Sequence, residues 1–223
     1  MGRMTTSSDF MGNIQRFTYD ALGRLTRHAV PFERIGNTTH YRVTYYTHDS
    51  NGNTTRIRTS TNLPGAAATW SDTNNTFTYN RLTHTQTGNG PITEYTYDLA
   101  GNILTKTVGG AVGATASATT TYTYNNRGQL TRITSPLGQR EDFTYDTNGL
   151  LLTRTDPNGT TFRNTYDNMG RLIRQEALRG TVVQGHRAYT FTTTGAIHTI
   201  TNGAHTITNT YDAQGRLIRQ DET

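Results

Sequence analysis

The sequence predicts an all-β protein in which tandem β-hairpin repeats form a continuous, curved or spiralling antiparallel sheet. Three observations support this prediction. An aromatic-x-aromatic-Asp pattern recurs nine times, a glycine follows the pattern at a fixed distance in eight copies, and Thr, Asn and Gly supply most of the polarity of the chain. Thr favours strands because it is β-branched, whereas Asn and Gly accept the backbone conformations of turns.

Composition argues against both a conventional core and disorder. Only 32% of the 223 residues are hydrophobic and the mean hydropathy is −0.70, yet charged residues make up just 17%. Disordered chains are poor in aromatic residues and carry a high net charge, whereas this chain has 13 Tyr, 7 Phe and a net charge of +5. We therefore expect an ordered fold made of short strands and turns.

The repeats define the organisation of the chain. Successive copies begin 29, 31, 18, 27, 21, 21, 25 and 20 residues apart, so the connections between them vary in length. The copies read FTYDALGRLTR from Phe17, YTHDSNGN from Tyr46, FTYNRLT from Phe77, YTYDLAGNILT from Tyr95, YTYNNRGQLTR from Tyr122, FTYDTNGLLLTR from Phe143, NTYDNMGRLIR from Asn164, YTFTTTGAIHT from Tyr189 and NTYDAQGRLIR from Asn209.

Each copy is typical of a hairpin. In the first copy, Phe17 and Tyr19 alternate with Thr18, which places both rings on one face of a strand. Asp20 then stands at the first position of a turn and Gly23 at the fourth, where a carboxylate accepts backbone N–H bonds and glycine adopts a positive φ. Since a single hairpin is only marginally stable, we expect neighbouring hairpins to pair edge to edge.

Several segments depart from the repeat. Tyr79-Asn80-Arg81-Leu82 resembles a turn with three residues deleted, and the segments 59–75, 109–120 and 178–187 are interpreted as longer loops at the sheet margin. Trp70 falls in the first of these loops and is interpreted as a packing anchor rather than as a platform for a sugar ring. Asp156-Pro157-Asn158-Gly159 is predicted to be a turn between repeats. The predicted domains are an irregular lead-in at 1–16 and one repeat array at 17–223, without a C-terminal toxin domain.

The pattern Y-T-Y-D-x-x-G-R-L-T and connectors such as D-P-N-G-T-T resemble the YD repeats of bacterial Rhs proteins, toxin complex subunits, wall-associated proteins and teneurins. The resemblance covers residues 17–220. It implies a repeated-hairpin shell that in complete bacterial proteins encloses a toxic C-terminal domain. It also implies a secreted or cell-surface location, with the rest of a larger Rhs-type polyprotein or a toxic effector domain as partner.

The predicted function is therefore that of a non-enzymatic structural scaffold, a segment of an Rhs-type shell. The alternative is a cell-surface module that binds a glycan or a protein, and self-association through open sheet edges is a further expectation. The structural repeat positions are Tyr19, Asp20, Gly23, Tyr97, Asp98, Gly101, Tyr145, Asp146, Gly149, Tyr166, Asp167, Gly170, Tyr211, Asp212 and Gly215.

Arginines follow the turn glycine at matching offsets, so stacked repeats would align them into a basic stripe that contacts a polyanion or glycan. The residues predicted for this contact are Arg24, Arg27, Arg171, Arg174, Arg216 and Arg219, with Arg132 at the same offset. The opposing interpretation is that they pair with Asp or Glu of adjacent repeats.

Catalytic and metal chemistry find little support. The seven His lack the close spacing of a metal site, although His198 and His205 fall in one predicted hairpin. Asp49-Ser50-Asn51-Gly52-Asn53 lacks the distal glutamate of a calcium loop. An aspartate that recurs at the same turn position is typical of a structural cap rather than a catalytic group. No cofactor, metal site, enzymatic activity or membrane span is predicted.

Overall fold

A computed structural model describes residues 3–60, 69–109 and 117–223. The chain divides into two compact units, residues 1–119 and 120–223. The described strands pair antiparallel with their neighbours along the chain, and the described residues contain no helix, so none could span a membrane. The all-β hairpin prediction is confirmed.

The first unit contains β1 to β9, and β10 begins just before its boundary. The strands are β1 Thr6–Ser8, β2 Ile14–Tyr19, β3 Leu25–Ile35, β4 Thr38–His48, β5 Thr54–Ser60, β6 Trp70–Thr78, β7 Arg81–Thr87, β8 Ile92–Tyr97 and β9 Ile103–Val108. Because β1 pairs with β2, the segment 1–16, which was predicted to be irregular, is partly a strand.

The second unit contains the remaining strands. They are β10 Ala118–Tyr124, β11 Leu130–Thr134, β12 Arg140–Tyr145, β13 Leu151–Thr155, β14 Thr160–Tyr166, β15 Leu172–Arg179, β16 Val182–Phe191, β17 Ile197–Asn202, β18 His205–Tyr211 and β19 Leu217–Glu222. Asp156 to Gly159 forms the predicted turn between β13 and β14, closed by a bond from Gly159 N–H to Asp156 O of 3.0 Å.

All three predicted loops are wrong in part of their described residues, and residues 118–120 of the second one lie in β10. Trp70 begins β6 and pairs with Ser60, and the segment 178–187 lies in β15 and β16, which are joined by a turn at Gly180. No aromatic alternation marks these two segments in the sequence, so their strand character comes from pairing with neighbouring strands. The Leu63-Pro64-Gly65 motif and residues 110–116 lie outside the described residues.

The hairpins share one register. In eight of the nine copies, all within the described strands, the first pattern position pairs with the residue eleven positions later, as Phe17 does with His28 and Phe143 with Arg154. At the second pattern position the register shifts: Thr144 pairs with Thr153, but Tyr145 pairs with Leu151. The extra residue is a β-bulge at the start of the second strand.

The described part of the chain has almost no apolar core. Its only buried hydrophobic residues are Ala29 and Leu178, and no large side chain is fully buried. Side chains alternate instead between half-buried and exposed along strands such as β2 and β8. Stability therefore depends on strand pairing and on side-chain hydrogen bonds rather than on a packed interior.

Candidate functional site

The turn that follows each YD pattern is closed by backbone and side-chain bonds. Gly23 N–H donates to Asp20 O at 2.9 Å, and Asp20 N–H donates to Arg24 O at 3.0 Å. The Asp20 carboxylate accepts Arg24 N–H at 2.8 Å and Arg24 Nε–H at 2.7 Å. Gly23 has φ +80°, which favours glycine because it has no Cβ.

The same backbone pair of bonds closes the turns that begin at Asp49, Asp98, Asn125, Asp146, Asp167, Thr192 and Asp212. Hydrogen bonds from Arg24 N–H lower the pKa of Asp20, and those from Arg171 and Arg216 lower the pKa of Asp167 and Asp212 in the same way. At these three turns a carboxylate that is stabilised in its charged form acts as a structural cap.

In five copies the tyrosine at the second pattern position binds a carbonyl of the preceding segment. Tyr145 Oη–H donates to Leu130 O at 2.8 Å, and Leu130 is the bulge residue opposite Tyr124. Pairing between β11 and β12 ends at Arg132 and Asp142, so Leu130 O lies beyond the ladder. The hydroxyl therefore extends the contact between hairpins past the point where their backbones stop pairing.

This hydrogen bond from the tyrosine hydroxyl to a carbonyl of the preceding segment, called the tie below, recurs in both units. Tyr97 donates to Leu82 O at 2.7 Å, Tyr166 to Leu151 O at 2.8 Å and Tyr211 to Ile197 O at 2.8 Å. Tyr19 donates to Met4 O at 3.1 Å. Burial raises the pKa of Tyr97 and of Tyr145, so these hydroxyls stay protonated as donors at neutral pH.

His48 replaces the tyrosine in the second copy. Its Nε2 lies 2.8 Å from Leu25 O, the bulge carbonyl of the preceding hairpin, and its Nδ1 lies 3.2 Å from Thr54 Oγ1. With Nε2 protonated, the imidazole donates as the tyrosine hydroxyl does elsewhere.

Two copies that begin with Asn use a second donor. Asn164 Nδ2–H donates to Leu151 O at 3.0 Å, the carbonyl that Tyr166 also binds, and Gln175 Nε2–H donates to Asn164 Oδ1 at 2.9 Å. Asn209 makes the equivalent bonds, 3.1 Å to Ile197 O and 2.9 Å from Gln220. Both asparagines are buried, and in each the amide nitrogen donates and the amide oxygen accepts a hydrogen bond.

The third copy is aligned differently from the prediction. Phe77, rather than Tyr79, stands opposite the bulge residue Leu82, and Asn75 Nδ2–H donates to the bulge carbonyl of Thr54 at 2.9 Å. The copy is therefore an Asn-first repeat whose turn is one residue shorter, and the predicted three-residue deletion is wrong. Tyr79 and Asn80 form a two-residue turn with φ of 51° and 60°.

Neighbouring turns are also bonded to one another. Arg24 Nη1–H donates to Asp49 O at 2.5 Å and Arg81 Nη1–H donates to Asp98 O at 2.8 Å in the first unit, while Arg127 Nη1–H donates to Thr147 O at 2.6 Å in the second. A Cβ on Gly101 would lie 3.1 Å from Arg81 Nη2, so this glycine also makes room for its neighbour.

Most of the arginines predicted to form a basic stripe lie in ion pairs. Arg24, Arg171 and Arg216 pair with the aspartate of their own turn, and Arg132, Arg174 and Arg219 pair with Asp142, Glu176 and Asp221. Arg27 lies over the ring of Tyr45, 6.0 Å from its centroid. Glycan or polyanion contact by these arginines stays a prediction.

The other candidates can be located. Asp49 caps its turn by accepting N–H bonds from Asn51 and Asn53 at 2.9 Å. His205 pairs with Asn202, so His198, four positions away on that strand, is not its cross-strand partner. No group of three or more His, Cys, Asp or Glu within the described ranges is arranged to hold a metal ion.

Sequence reasoning missed one cluster in the first unit, the Trp70 cluster of Tyr45, Arg56, Arg58, Trp70 and Asp72. The register places Tyr45 opposite Arg58 and Arg58 opposite Asp72, and the period of two puts Arg56 and Trp70 on the same face. The only available signal was the Arg-x-Arg alternation in β5. It could not be interpreted because 59–75 was predicted to be a loop.

Comparison with protein families decides the assignment. The family model Teneurin YD-shell matches residues 111–223, just over half of the chain. The chain belongs to the teneurin YD-shell family. The predicted resemblance to Rhs and YD-repeat proteins is confirmed. A search of curated protein sequences gave no match.

Solved structures show the same fold for this YD-shell chain. The crystal structure of TcdB2-TccC3-Cdc42 matches 100% of it with a TM-score of 0.73 at 16% identity, and that of TcdB2-TccC3 without hypervariable C-terminal region matches 100% with 0.70 at 17%. The chain spans 15% and 14% of those two proteins. At such identities the likeness concerns the fold alone.

Proposed function

We propose that this chain is a non-enzymatic scaffold, a segment of an Rhs-type shell that in the complete protein surrounds and delivers a toxic C-terminal effector. The observation that carries the proposal is the recurring tie from Tyr Oη–H, or from its Asn or His counterpart, to the bulge carbonyl of the preceding hairpin. Each hairpin is thereby stabilised by its neighbour rather than by a core.

Such a wall suits enclosure. A hairpin alone is marginally stable, but lateral pairing adds hairpins without limit, as in other repeat proteins where each unit contacts only its neighbours. The near absence of buried apolar residues in the described ranges means that the sheet faces are available to line a space or to meet solvent. A shell needs a sheet of large area whose backbone polar groups are hydrogen-bonded. The turns and the ties supply those hydrogen bonds.

The titratable groups favour a structural role. Hydrogen bonds in the turns lower the pKa of Asp20, Asp98, Asp167 and Asp212, which is the opposite of the upward shift that makes a carboxyl a general base or acid near neutrality. Because these four aspartates share one environment, none of them has a distinct chemical role.

The partners of the proposed scaffold are the remainder of a longer Rhs-type polyprotein and its effector, and its location is secreted or at the cell surface. These proposals are supported by family membership and by the small share of the matched structures that the chain spans.

Size-exclusion chromatography with in-line light scattering and small-angle X-ray scattering tests the scaffold. We expect particles whose scattering fits a curved sheet and which grow with concentration, because unpaired strand edges invite association. A compact monomer with a solid-sphere profile would contradict a shell segment, and an extended flat particle would exclude enclosure by this length alone.

A further inference from the structure

The Trp70 cluster lies apart from the turns and ties that build the wall. It surrounds a cleft of about 380 Å³ lined by Tyr45, Thr47, Arg56, Arg58 and Trp70. This volume is within the range of about 300–1,000 Å³ that is typical of small-molecule sites. Tyr45 and Trp70 are 43% and 37% exposed, so two aromatic rings in the cleft are open to solvent.

The rings of Tyr45 and Trp70 are inclined to each other rather than parallel. Their centroids lie 5.9 Å apart and their planes are inclined by 46°. A flat nucleobase stacks best between or upon parallel planes, whereas a puckered pyranose ring can rest its C–H face on one inclined ring and touch the other. The geometry therefore favours a saccharide over a base.

The two arginines of the cluster differ in how well they are paired with Asp72. Arg56 donates to Asp72 through Nε at 3.0 Å and Nη2 at 2.8 Å, which lowers the pKa of Asp72 and keeps it ionised. Arg58 Nε lies 3.7 Å from Asp72 and is buried without a hydrogen-bond partner among the described residues. The cluster thus holds two guanidinium groups against one carboxylate.

Arg58 is oriented to receive an anion. Its guanidinium carbon lies 4.8 Å from the centroid of the Trp70 ring. Nε is buried but the Arg58 side chain as a whole is 43% exposed, so a ligand would meet the two terminal Nη groups, whose N–H donors lie in one plane and match a planar carboxylate bidentately. Because Arg56 is already bonded to Asp72, one singly charged group fits better than a polyanion.

We propose that the Trp70 cluster is a binding site for a carboxylate-bearing sugar residue of an acidic glycan. The pyranose ring packs on Trp70 and Tyr45, and its carboxylate pairs with Arg58. The site uses none of the arginines that cap the turns, so it is independent of the scaffold function and would remain if that function were disproved.

Trp70 is the only tryptophan of the chain, so its fluorescence reports directly on the site. We would titrate the intact chain with a tetrasaccharide of glucuronic acid and, separately, with a neutral glucose tetrasaccharide. The acidic sugar is expected to change the emission saturably and to bind at least about tenfold more tightly, since one charge-assisted bidentate pair is worth that much. Equal binding of both sugars, or no saturable change, would overturn the proposal.

Two matched variants separate the site from general charge effects. Arg58→Gln should weaken binding about tenfold, whereas Arg154→Gln, which removes an arginine stacked on Phe162 and paired with Glu141 in the second unit, should leave it within about twofold. Circular dichroism would establish that both variants are folded. Equal losses in both variants, displacement by inorganic sulfate at the same concentration, or tighter binding of a single-stranded oligonucleotide would each refute an acidic-sugar site.

Discussion

The hairpins β12–β13 and β14–β15 follow one backbone plan but differ at the first pattern position. In β12, Phe143 stands opposite Arg154, and Tyr145 is the only side-chain donor to Leu130 O among the described residues. In β14, Asn164 stands opposite Gln175, and Asn164 and Tyr166 both donate to Leu151 O. An aromatic ring and an amide pair are therefore alternative solutions for one site.

The aromatic ring and the amide pair place different demands on the residue opposite them. The Phe143 ring has no polar atoms and needs no hydrogen bond from its cross-strand partner, so Arg154 can stack on Phe162 and pair with Glu141. A buried amide must find partners for its donors and its acceptor, since an unsatisfied buried polar group is destabilising. Asn164 is consequently tied to the identity of Gln175, and Asn209 to that of Gln220.

The largest expected effect comes from breaking the amide pair. Asn164→Leu leaves the Gln175 amide without its acceptor and removes one donor from Leu151 O, so we expect a loss of about 2 kcal/mol in the free energy of unfolding. Urea denaturation followed by circular dichroism measures it. The double variant Asn164→Phe with Gln175→Arg converts the site to the β12–β13 solution and should recover most of the loss. No recovery would show that the two solutions are not interchangeable.

A smaller loss of stability is expected when the tyrosine hydroxyl is removed, and its size should differ between the two hairpins. Tyr145→Phe removes the single side-chain donor to Leu130 O and should cost about 1 kcal/mol, whereas Tyr166→Phe leaves Asn164 on Leu151 O and should cost about half as much. Denaturation of the two variants under identical conditions gives the comparison. Equal costs would mean that the second donor contributes nothing.

The smallest expected effect is a gain in stability, produced by adding a hydroxyl donor to the third copy. In the third copy Asn75 donates to Thr54 O while Phe77 has no hydroxyl, so Phe77→Tyr supplies the missing second donor. We expect stabilisation of about 0.5 kcal/mol, visible as a raised urea midpoint with an unchanged slope. Phe77→Leu serves as the control without a hydroxyl. A destabilised Phe77→Tyr variant would contradict the assignment of Phe77 to the tyrosine position.

The sequence was sufficient for the hairpins and for most of their turns. Period-two alternation before Asp and Gly, as at Phe17 to Gly23, depends only on neighbouring residues. The Asn–Gln pairs and the Trp70 cluster depend on register between strands, which a local pattern does not contain. In retrospect a signal existed for the pairs, since both NTYD copies carry Gln eleven residues after Asn. In the third copy the aromatic pattern alone points to Phe77 and Tyr79, whereas the register places Asn75 and Phe77 at the two positions.

The offset of eleven residues, kept in eight of the nine copies, restricts where the chain can change in length. A one-residue insertion within a strand would exchange the faces of the rest of that strand and separate pairs such as Phe143–Arg154 and Asn164–Gln175, whereas the third copy shows that the turn can lose one residue while Asn75 keeps its bond to Thr54 O. An insertion between hairpins disturbs no register. Counted with Asn75 as the first position of the third copy, the spacing between copies varies from 20 to 29 residues, and this variation lies in the connections, so the hairpin is the unit that repeats.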